Sequence, residues 1–234
     1  MSSGASAANT VTVSHLSVTR TARYFTLGPE TRGIRELWIV LHGHSQLAAR
    51  FLHAFEPLND GATRIVAPEA LSRFYLETKL DGRHGTAIGA TWLTREDREP
   101  DLGDHLGYLD SLADRLLTGF QTNPVLVVLG FSQGSVMAAR WAARSTVVPD
   151  RLILWGTPLP EDVTHVALAD RLAGRQVLLV AGDRDPLVVS GSIETTADGL
   201  RALGVDATSH RFAGGHQISG PALLRAAGRL TGES

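Results

Sequence analysis

Short, uninterrupted runs of apolar residues recur along this chain and alternate with longer stretches that have helical spacing. Such runs are typical of strands in a sheet that is covered on both faces, because neither face then has room for polar side chains. The runs are LWIVL (37–41), RIVAP (64–68), VLVVLG (125–130), RLILW (151–155) and QVLLVAG (176–182). The pattern predicts an α/β fold with a doubly wound, mostly parallel sheet.

The stretches between these runs predict helices near 46–57, 104–119, 133–145, 192–203 and 221–231. In the third of them, Gly134, Ala138 and Ala142 give one face small side chains for close packing on the sheet. Between Trp155 and Gln176 there is room for a turn and a short helix only. No large cap domain is therefore expected.

Three other segments have a different character. Residues 1–9 are small and polar and predict a flexible tail that precedes a single domain over 10–234. From Thr10 to Leu27, polar and β-branched residues alternate, which predicts an antiparallel edge hairpin. The poorly periodic segment 69–103 contains Phe74, Tyr75 and Trp92 among glycines and charges, and we predict a loop that forms a pocket wall.

Composition and charge narrow the classes of function. The chain has 22 basic and 24 acidic residues, mixed along its length, so there is no basic patch for nucleic acid. Its apolar runs have strand length and are too short to cross a membrane. It has no cysteine, which excludes thiolate catalysis and fits a reducing compartment. We expect a soluble, cytoplasmic monomer or homodimer whose nucleophile is oxygen or nitrogen.

Ser132 is a candidate nucleophile. It lies in Gly130-Phe131-Ser132-Gln133-Gly134, directly after the VLVVLG strand and before a helix. A serine on such a turn adopts a cramped backbone conformation that lifts its hydroxyl above the sheet, and flanking glycines let strand and helix approach closely. The pattern alone also occurs in ordinary Gly-Ser turns. Its strand-turn-helix context favours the catalytic interpretation.

A serine nucleophile needs a base and a group that orients the base. In a parallel sheet, reacting groups collect beyond the carboxyl ends of the strands. QVLLVAG is followed by Asp183 and Asp185, and the last strand-like run, ATSHRF, is followed by Gly214, Gly215 and His216. We predict His216 as the base and favour Asp185 over Asp183 as the acid, since Pro186 fixes the backbone after Asp185.

The remaining histidines are interpreted as structural or surface residues. His42 and His44 form an HxH pattern, but no further ligand completes a metal site, so no metal is expected. The others lie on the predicted hairpin, helices, loops or strand interior: His15, His53, His84, His105, His165 and His210.

Acyl transfer also needs donors for the oxyanion that develops in the transition state. One donor is the backbone N–H of Gln133, at the start of the helix after Ser132. The other is expected in the loop after WIVLHG, most simply the N–H of His44. Leu41-His42-Gly43 can also be explained as a strand that ends in a plain glycine turn.

Four motifs, taken in order, resemble the phospholipase/carboxylesterase family of α/β-hydrolases, which includes acyl-protein thioesterases. They are LHG, LGFSQG, AGDRDPLV and GGH, and the resemblance spans roughly 37–230. It implies a triad of Ser132, Asp185 and His216, an oxyanion hole at His44 and Gln133, and hydrolysis without a cofactor. GATWLT resembles the segment that lines the acyl pocket of the family, which makes Trp92 a pocket candidate, although a core position is an alternative.

This chain departs from the family at Ser45, where the family usually has glycine. We expect a carboxylesterase that cleaves short- to medium-chain esters or thioesters, with a small molecule as its partner. Two alternatives stay open on the sequence alone. One is acyl transfer through the same triad, and the other is a ligand-binding protein that keeps the hydrolase scaffold without turnover.

Overall fold

The dominant element of the fold is a twisted sheet. A computed structural model describes residues 11–30, 33–77, 85–120 and 123–230, and in these ranges the main sheet has seven strands in the order β1-β3-β2-β6-β7-β8-β9. A separate two-stranded sheet pairs β4 with β5. The strands are β1 (Tyr24–Leu27), β2 (Glu36–Leu41), β3 (Thr63–Pro68), β4 (Ser72–Tyr75), β5 (Ile88–Thr91), β6 (Val125–Phe131), β7 (Arg151–Trp155), β8 (Gln176–Gly182) and β9 (Asp206–Phe212).

Helices cover both faces of the main sheet. They are α1 (Ala48–Leu52), which continues as a 3₁₀ helix (His53–Leu58), α2 (Arg98–Leu117), α3 (Gln133–Arg144), α4 (His165–Leu172), α5 (Ser192–Ala202) and α6 (Gly220–Ala226). One hydrophobic cluster joins α2, α3, α4 and α5 to the sheet, and a second joins α1, the 3₁₀ helix and α6 to the opposite face.

The β2 strand shows why continuous apolar runs form this sheet. Leu37, Ile39 and Leu41 belong to the first cluster, whereas Trp38 and Val40 belong to the second, and all five side chains are fully buried. Successive side chains of a strand point to opposite faces, so a strand in the middle of a covered sheet needs apolar residues at every position. The predicted doubly wound, mostly parallel sheet is confirmed.

The predicted N-terminal hairpin is wrong in its first half. Residues 11–23 form no strand, and Val11, Val13 and Leu16 are largely exposed. Only β1 is a strand, and it pairs antiparallel with β3 instead of with a preceding strand. Alternation along a segment indicates that it can form a strand, but a hairpin also needs a partner at the right distance. The predicted tail at 1–9 lies outside the described residues.

The segment 69–103 is not simply a loop. It contains the β4–β5 pair, in which Phe74 lies opposite Gly89, and α2 begins at Arg98, earlier than predicted. Strands of four residues carry too little periodicity to be recognised, and the first turn of α2 is polar. Residues 78–84 of this segment lie outside the described residues.

The parallel strands bring their carboxyl ends to one edge of the sheet. Neighbouring β2, β6, β7, β8 and β9 end there at Leu41, Phe131, Trp155, Gly182 and Phe212. The predicted catalytic and oxyanion residues come shortly after four of these strands, whereas the predicted pocket residues lie in β4 and directly after β5. None of the helices in the described ranges combines the length and the apolar character that a bilayer-spanning helix needs.

Candidate active site

Ser132 occupies a backbone conformation that L-residues rarely adopt. Its φ is 55° and its ψ is −122°, in the sharp turn between β6 and α3. The turn is held from both sides, because the N–H of Ser132 donates to the carbonyl of Trp155 at 2.8 Å and its own carbonyl accepts from Ser135 N at 2.9 Å. A strained residue persists only when its surroundings enforce the conformation, and such residues concentrate at functional sites.

Gly134 and Gly130 make this turn possible. A Cβ atom on Gly134 would collide with the carbonyl oxygen of Leu41, and one on Gly130 would collide with the carbonyl of Gly134. The start of α3 therefore packs directly on the backbone of β2 and β6.

Asp185 and His216 are hydrogen-bonded to each other. Asp185 Oδ2 lies 2.8 Å from His216 Nδ1, and the Asp185 side chain is only 1% exposed. Its other oxygen, Oδ1, accepts from the N–H of Leu187 at 2.9 Å. A carboxylate that accepts from Nδ1–H fixes the imidazole tautomer with its lone pair on Nε2, the atom that a general base uses.

Asp183, the other candidate acid, has a different neighbour. Its Oδ1 accepts from the backbone N–H of Gly214 at 2.9 Å, and its half-exposed side chain lies 3.6 Å from Arg184 Nε. Asp183 N also donates to Phe212 O and Arg184 N to Gly214 O, both at 2.9 Å. Asp183 thus ties the loop that precedes His216 to the loop that carries Asp185.

His216 lies beside the nucleophile turn. Its ring packs on the ring of Phe131, the residue before Ser132, with centroids 4.8 Å apart. On another side it contacts Gly156, where an added Cβ would lie 3.0 Å from His216 Cε1. Among the described residues, Ser132 Oγ makes no hydrogen bond. Catalytic hydrogen bonds are often long in the absence of substrate and tighten when substrate binds.

The side chains of the two predicted oxyanion donors meet at Thr91. His44 Nδ1 lies 3.3 Å from Thr91 Oγ1, and Gln133 Nε2 lies 3.0 Å from the same oxygen. Gln133 Nε2 also donates to Leu93 O at 2.7 Å, and Gln133 Oε1 accepts from Trp92 N at 2.9 Å. Within the described residues, the backbone N–H groups of His44 and Gln133 have no hydrogen-bond acceptor.

The loop before His44 reaches the nucleophile. A Cβ atom on Gly43 would lie 3.2 Å from Ser132 Cβ, so only glycine fits there without displacing a neighbour. Ser45, at the position where the resembled family usually has glycine, adopts a positive φ of 65°. The loop therefore keeps a left-handed residue even though this chain places a serine there.

Two buried histidines support this loop from behind, which the sequence interpretation missed. His42 Nε2 accepts from Ala70 N and His105 Nε2 accepts from Leu71 N, each at 3.1 Å. Their Nδ1 atoms donate to the carbonyls of Gly43 and Asp101 at 2.8 Å. Both nitrogens of His42 are thus occupied, which leaves none for a metal ion.

Burial keeps both imidazoles neutral. It lowers the pKa of His42 from 6.5 to about 4, an effect that the hydrogen bond to Gly43 and the charge of Glu69 partly oppose. Burial also lowers the pKa of His105. Only a neutral imidazole can accept the N–H bonds of residues 70 and 71. Neither histidine carries a sequence signal for this role, since the partners are backbone groups distant in sequence.

The three predicted pocket residues lie in different environments. Trp92 is fully buried and donates its indole N–H to His42 O at 2.8 Å. The structure therefore places it in the core, behind the loop that carries His44. Phe74 is partly buried and stacks on the His44 ring, with centroids 5.4 Å apart. Tyr75 is half exposed.

A cleft of about 400 Å³ opens beside His216. Its walls are mostly apolar. Few of the lining residues could be identified from the sequence, because they come from five separate parts of the chain. The lining side chains include Leu47, Phe51, Ala54, Leu76, Ile88, Phe131 and Ile218, together with the polar residues Ser45, Gln46, Arg50 and Gln217.

No protein-family model matches this chain, and none of the curated proteins does either. Solved structures, in contrast, match it over most of its length. The esterase PE8 structure is 23% identical with a TM-score of 0.63 and covers 89% of this chain and 97% of its own. A carboxylesterase from Bacillus cereus is 19% identical with a TM-score of 0.65, over 89% and 95% of the two chains.

A third structure, acyl-protein thioesterase 2 from Zea mays, is 18% identical with a TM-score of 0.62 and covers 88% of this chain and 99% of its own. The neighbours therefore include carboxylesterases and acyl-protein thioesterases, in agreement with the family that the sequence motifs resemble. At these identities the comparison establishes the fold, which is the α/β-hydrolase fold. The activity has to be argued from the site.

Proposed function

We propose that this protein is a serine hydrolase that cleaves short- to medium-chain acyl esters or thioesters through an acyl-enzyme on Ser132. The observation that carries the proposal is the Asp185–His216 hydrogen bond next to the strained turn of Ser132. A buried carboxylate, an oriented imidazole and a serine on a tight turn together meet the requirements of nucleophilic acyl transfer. A fold shared with esterase structures supports an ester or thioester as the substrate.

In the proposed first step, His216 Nε2 takes the proton of Ser132 Oγ as the oxygen attacks the carbonyl carbon. Asp185 stabilises the resulting imidazolium. The negative charge that develops on the carbonyl oxygen accepts hydrogen bonds from the N–H groups of His44 and Gln133, which have no other acceptor among the described residues. His216 then protonates the leaving alcohol or thiol, and the acyl group remains on Ser132.

In the second step, water replaces the leaving group. His216 removes a proton from the water, the hydroxide attacks the acyl-enzyme, and Ser132 leaves with the proton that His216 returns. The products are the carboxylic acid and the free serine. The chemistry of both steps is supplied by side chains and backbone groups of this chain.

The size of the cleft supports the limit on chain length. At about 400 Å³ it lies near the small end of the range for ligand pockets, roughly 300–1,000 Å³. Apolar walls favour the transfer of an acyl chain from water, whereas long chains would extend into solvent.

The test is hydrolysis of 4-nitrophenyl acetate, butyrate and octanoate, and of thioesters with the same acyl chains, by wild type and Ser132→Ala. We expect wild-type turnover on the esters and a fall toward the solvent rate in the variant. Ser209→Ala, in a groove at the opposite edge of the sheet, is the matched control and should keep wild-type activity. A folded wild type that binds the esters saturably but turns none over would favour a ligand-binding protein instead.

A further inference from the structure

The cleft beside His216 contains one permanent positive charge. Its lining is apolar apart from Ser45, Gln46, Gln217, His216 and Arg50, and Arg50 is the only lysine or arginine among the described residues that line it. Arg50 is an exposed residue, and an arginine is charged at every physiological pH, so it provides a fixed cation on the solvent-accessible wall of a mostly apolar cleft.

Arg50 lies on the face of α1 that forms the cleft wall. Leu47, Arg50, Phe51 and Ala54 all line the cleft, and their spacing of three and four residues places them on one face of α1 and the turn that follows it. The other three are apolar, as expected for a face that covers a binding recess. Arg50 therefore interrupts the apolar stripe at the cleft surface.

Among the described residues, the guanidinium of Arg50 has no hydrogen-bond or ion-pair partner. No side chain or carbonyl of the described residues accepts a hydrogen bond from it, and no described carboxylate pairs with it. The first turn of α1 contains no acidic residue. The nearest acid along the chain, Glu56, is hydrogen-bonded to His53 at 2.7 Å. Its charge is thus available to a ligand.

We infer that the preferred substrates carry a negatively charged group, such as a carboxylate, on the arm that occupies this cleft, and that Arg50 binds this group. The inference rests on the proposed hydrolase function and specifies its substrate class. The apolar walls would contact a short hydrocarbon spacer between the reacting carbonyl and the anion. The position of Arg50 near the carboxyl end of α1 also complements the helix dipole, but that role would not affect discrimination between substrates.

Two matched pairs of esters test the inference. In the first, the 4-nitrophenyl monoester of adipic acid is compared with its methyl-capped diester, so that the acyl arms differ in charge and by one methyl group. In the second, the acetyl ester of 4-hydroxyphenylpropionate, with a free carboxylate, is compared with the same acetyl ester whose carboxylate is methylated. The charge then lies on the alcohol arm. The readout is the ratio of kcat/KM for the charged over the neutral member of each pair.

We expect wild type to prefer the charged member of at least one pair, and Arg50→Gln to lower that ratio by about three- to tenfold, with a larger fall in Arg50→Glu. The effect should shrink as salt is added. Arg225→Gln, which removes the same charge from a separate groove at the amino ends of β7, β8 and β9, should leave the ratio unchanged. Equal ratios in wild type and Arg50→Gln for both pairs would overturn the inference.

Binding in a Ser132→Ala background separates this inference from the hydrolase proposal. Titration calorimetry with the same esters measures the charge preference without turnover, and Arg50→Gln should again lower this preference. If wild type does not turn the esters over but binds them with a charge preference that depends on Arg50, the hydrolase proposal is refuted and the anion site is supported. If wild type turns the esters over without any charge preference, the hydrolase proposal is supported and the anion site is refuted.

Discussion

Gln133 donates its side-chain N–H to Thr91 Oγ1 across 3.0 Å, although the two residues are 42 positions apart in the chain. The same Thr91 oxygen lies 3.3 Å from His44 Nδ1. Thr91 therefore connects the two residues whose backbone N–H groups form the proposed oxyanion hole. Because oxyanion donors act only when they are held in position, a side chain that fixes both should affect the rate without touching the substrate.

Replacing Thr91 with valine should lower kcat by about 3- to 30-fold, less than the roughly 10²–10³ that loss of a complete donor costs, because both N–H groups are retained. KM should change little. Valine keeps the shape of threonine but has no hydroxyl to make hydrogen bonds with Gln133 and His44. Thr91→Ser keeps the hydroxyl and should retain most of the activity. A Thr91→Val enzyme with normal kcat would show that the hydroxyl has no positioning role.

The two neighbouring aspartates should respond differently to the same isosteric change. Asp185→Asn should lower kcat by about 10⁴-fold, since an amide cannot fix the required tautomer of His216 or stabilise its charged form. Asp183→Asn keeps an oxygen for Gly214 N and should lower kcat by less than about tenfold. Steady-state kinetics on 4-nitrophenyl butyrate distinguish them. Equal losses would mean that the contact to Gly214 matters as much as the one to His216.

Relief of backbone strain at Ser132 should stabilise the fold. Glycine adopts φ 55°, ψ −122° readily, whereas alanine keeps the strain of serine. Ser132→Gly should therefore have a higher free energy of unfolding than Ser132→Ala, by about 1–2 kcal/mol. Urea denaturation of the two inactive variants measures the difference directly. Equal midpoints would show that the turn is not strained in solution.

The free energy of unfolding should fall as the pH is lowered, because histidines that are buried in their neutral form resist protonation in the folded state. Because the pKa of His42 is lowered from 6.5 to about 4, the unfolded chain binds more protons than the folded one between these values. This contribution to stability is complete above pH 6.5 and decreases as the pH falls toward 4, by up to about 3 kcal/mol. His105 and His210 act in the same direction, since burial lowers the pKa of both.

Urea midpoints between pH 5 and pH 7 test this expectation, because the carboxylates with lowered pKa values lose their contributions only below this window. His42→Gln retains an acceptor for Ala70 N but cannot be protonated, so its stability should depend less on pH than that of wild type. If both proteins show the same slope, His42 is not the group that titrates.

Much of the fold could be predicted because each central strand is apolar on both faces, as Trp38 and Ile39 show in β2. The candidate triad could be proposed because Ser132 and Asp185 come shortly after such strands, and His216 comes shortly after the strand-like run that forms β9 at the edge of the sheet. The support around them could not be predicted. Trp92 binds the carbonyl of His42, and His105 binds the N–H of Leu71, through contacts that depend on three-dimensional packing and leave no local pattern.

The close approach of Gly182 to the loop of His216 restricts how this site can change. A side chain at Gly182 would collide with the carbonyl of Gly214, and backbone hydrogen bonds join the segments on either side. If the loop that carries Asp185 were replaced alone, the new loop would no longer fit against the loop that carries His216. New specificities should therefore be easier to obtain by varying single side chains of the cleft wall, such as Phe51 on α1 and Ile88 on β5, while Thr91, Asp185 and His216 are kept.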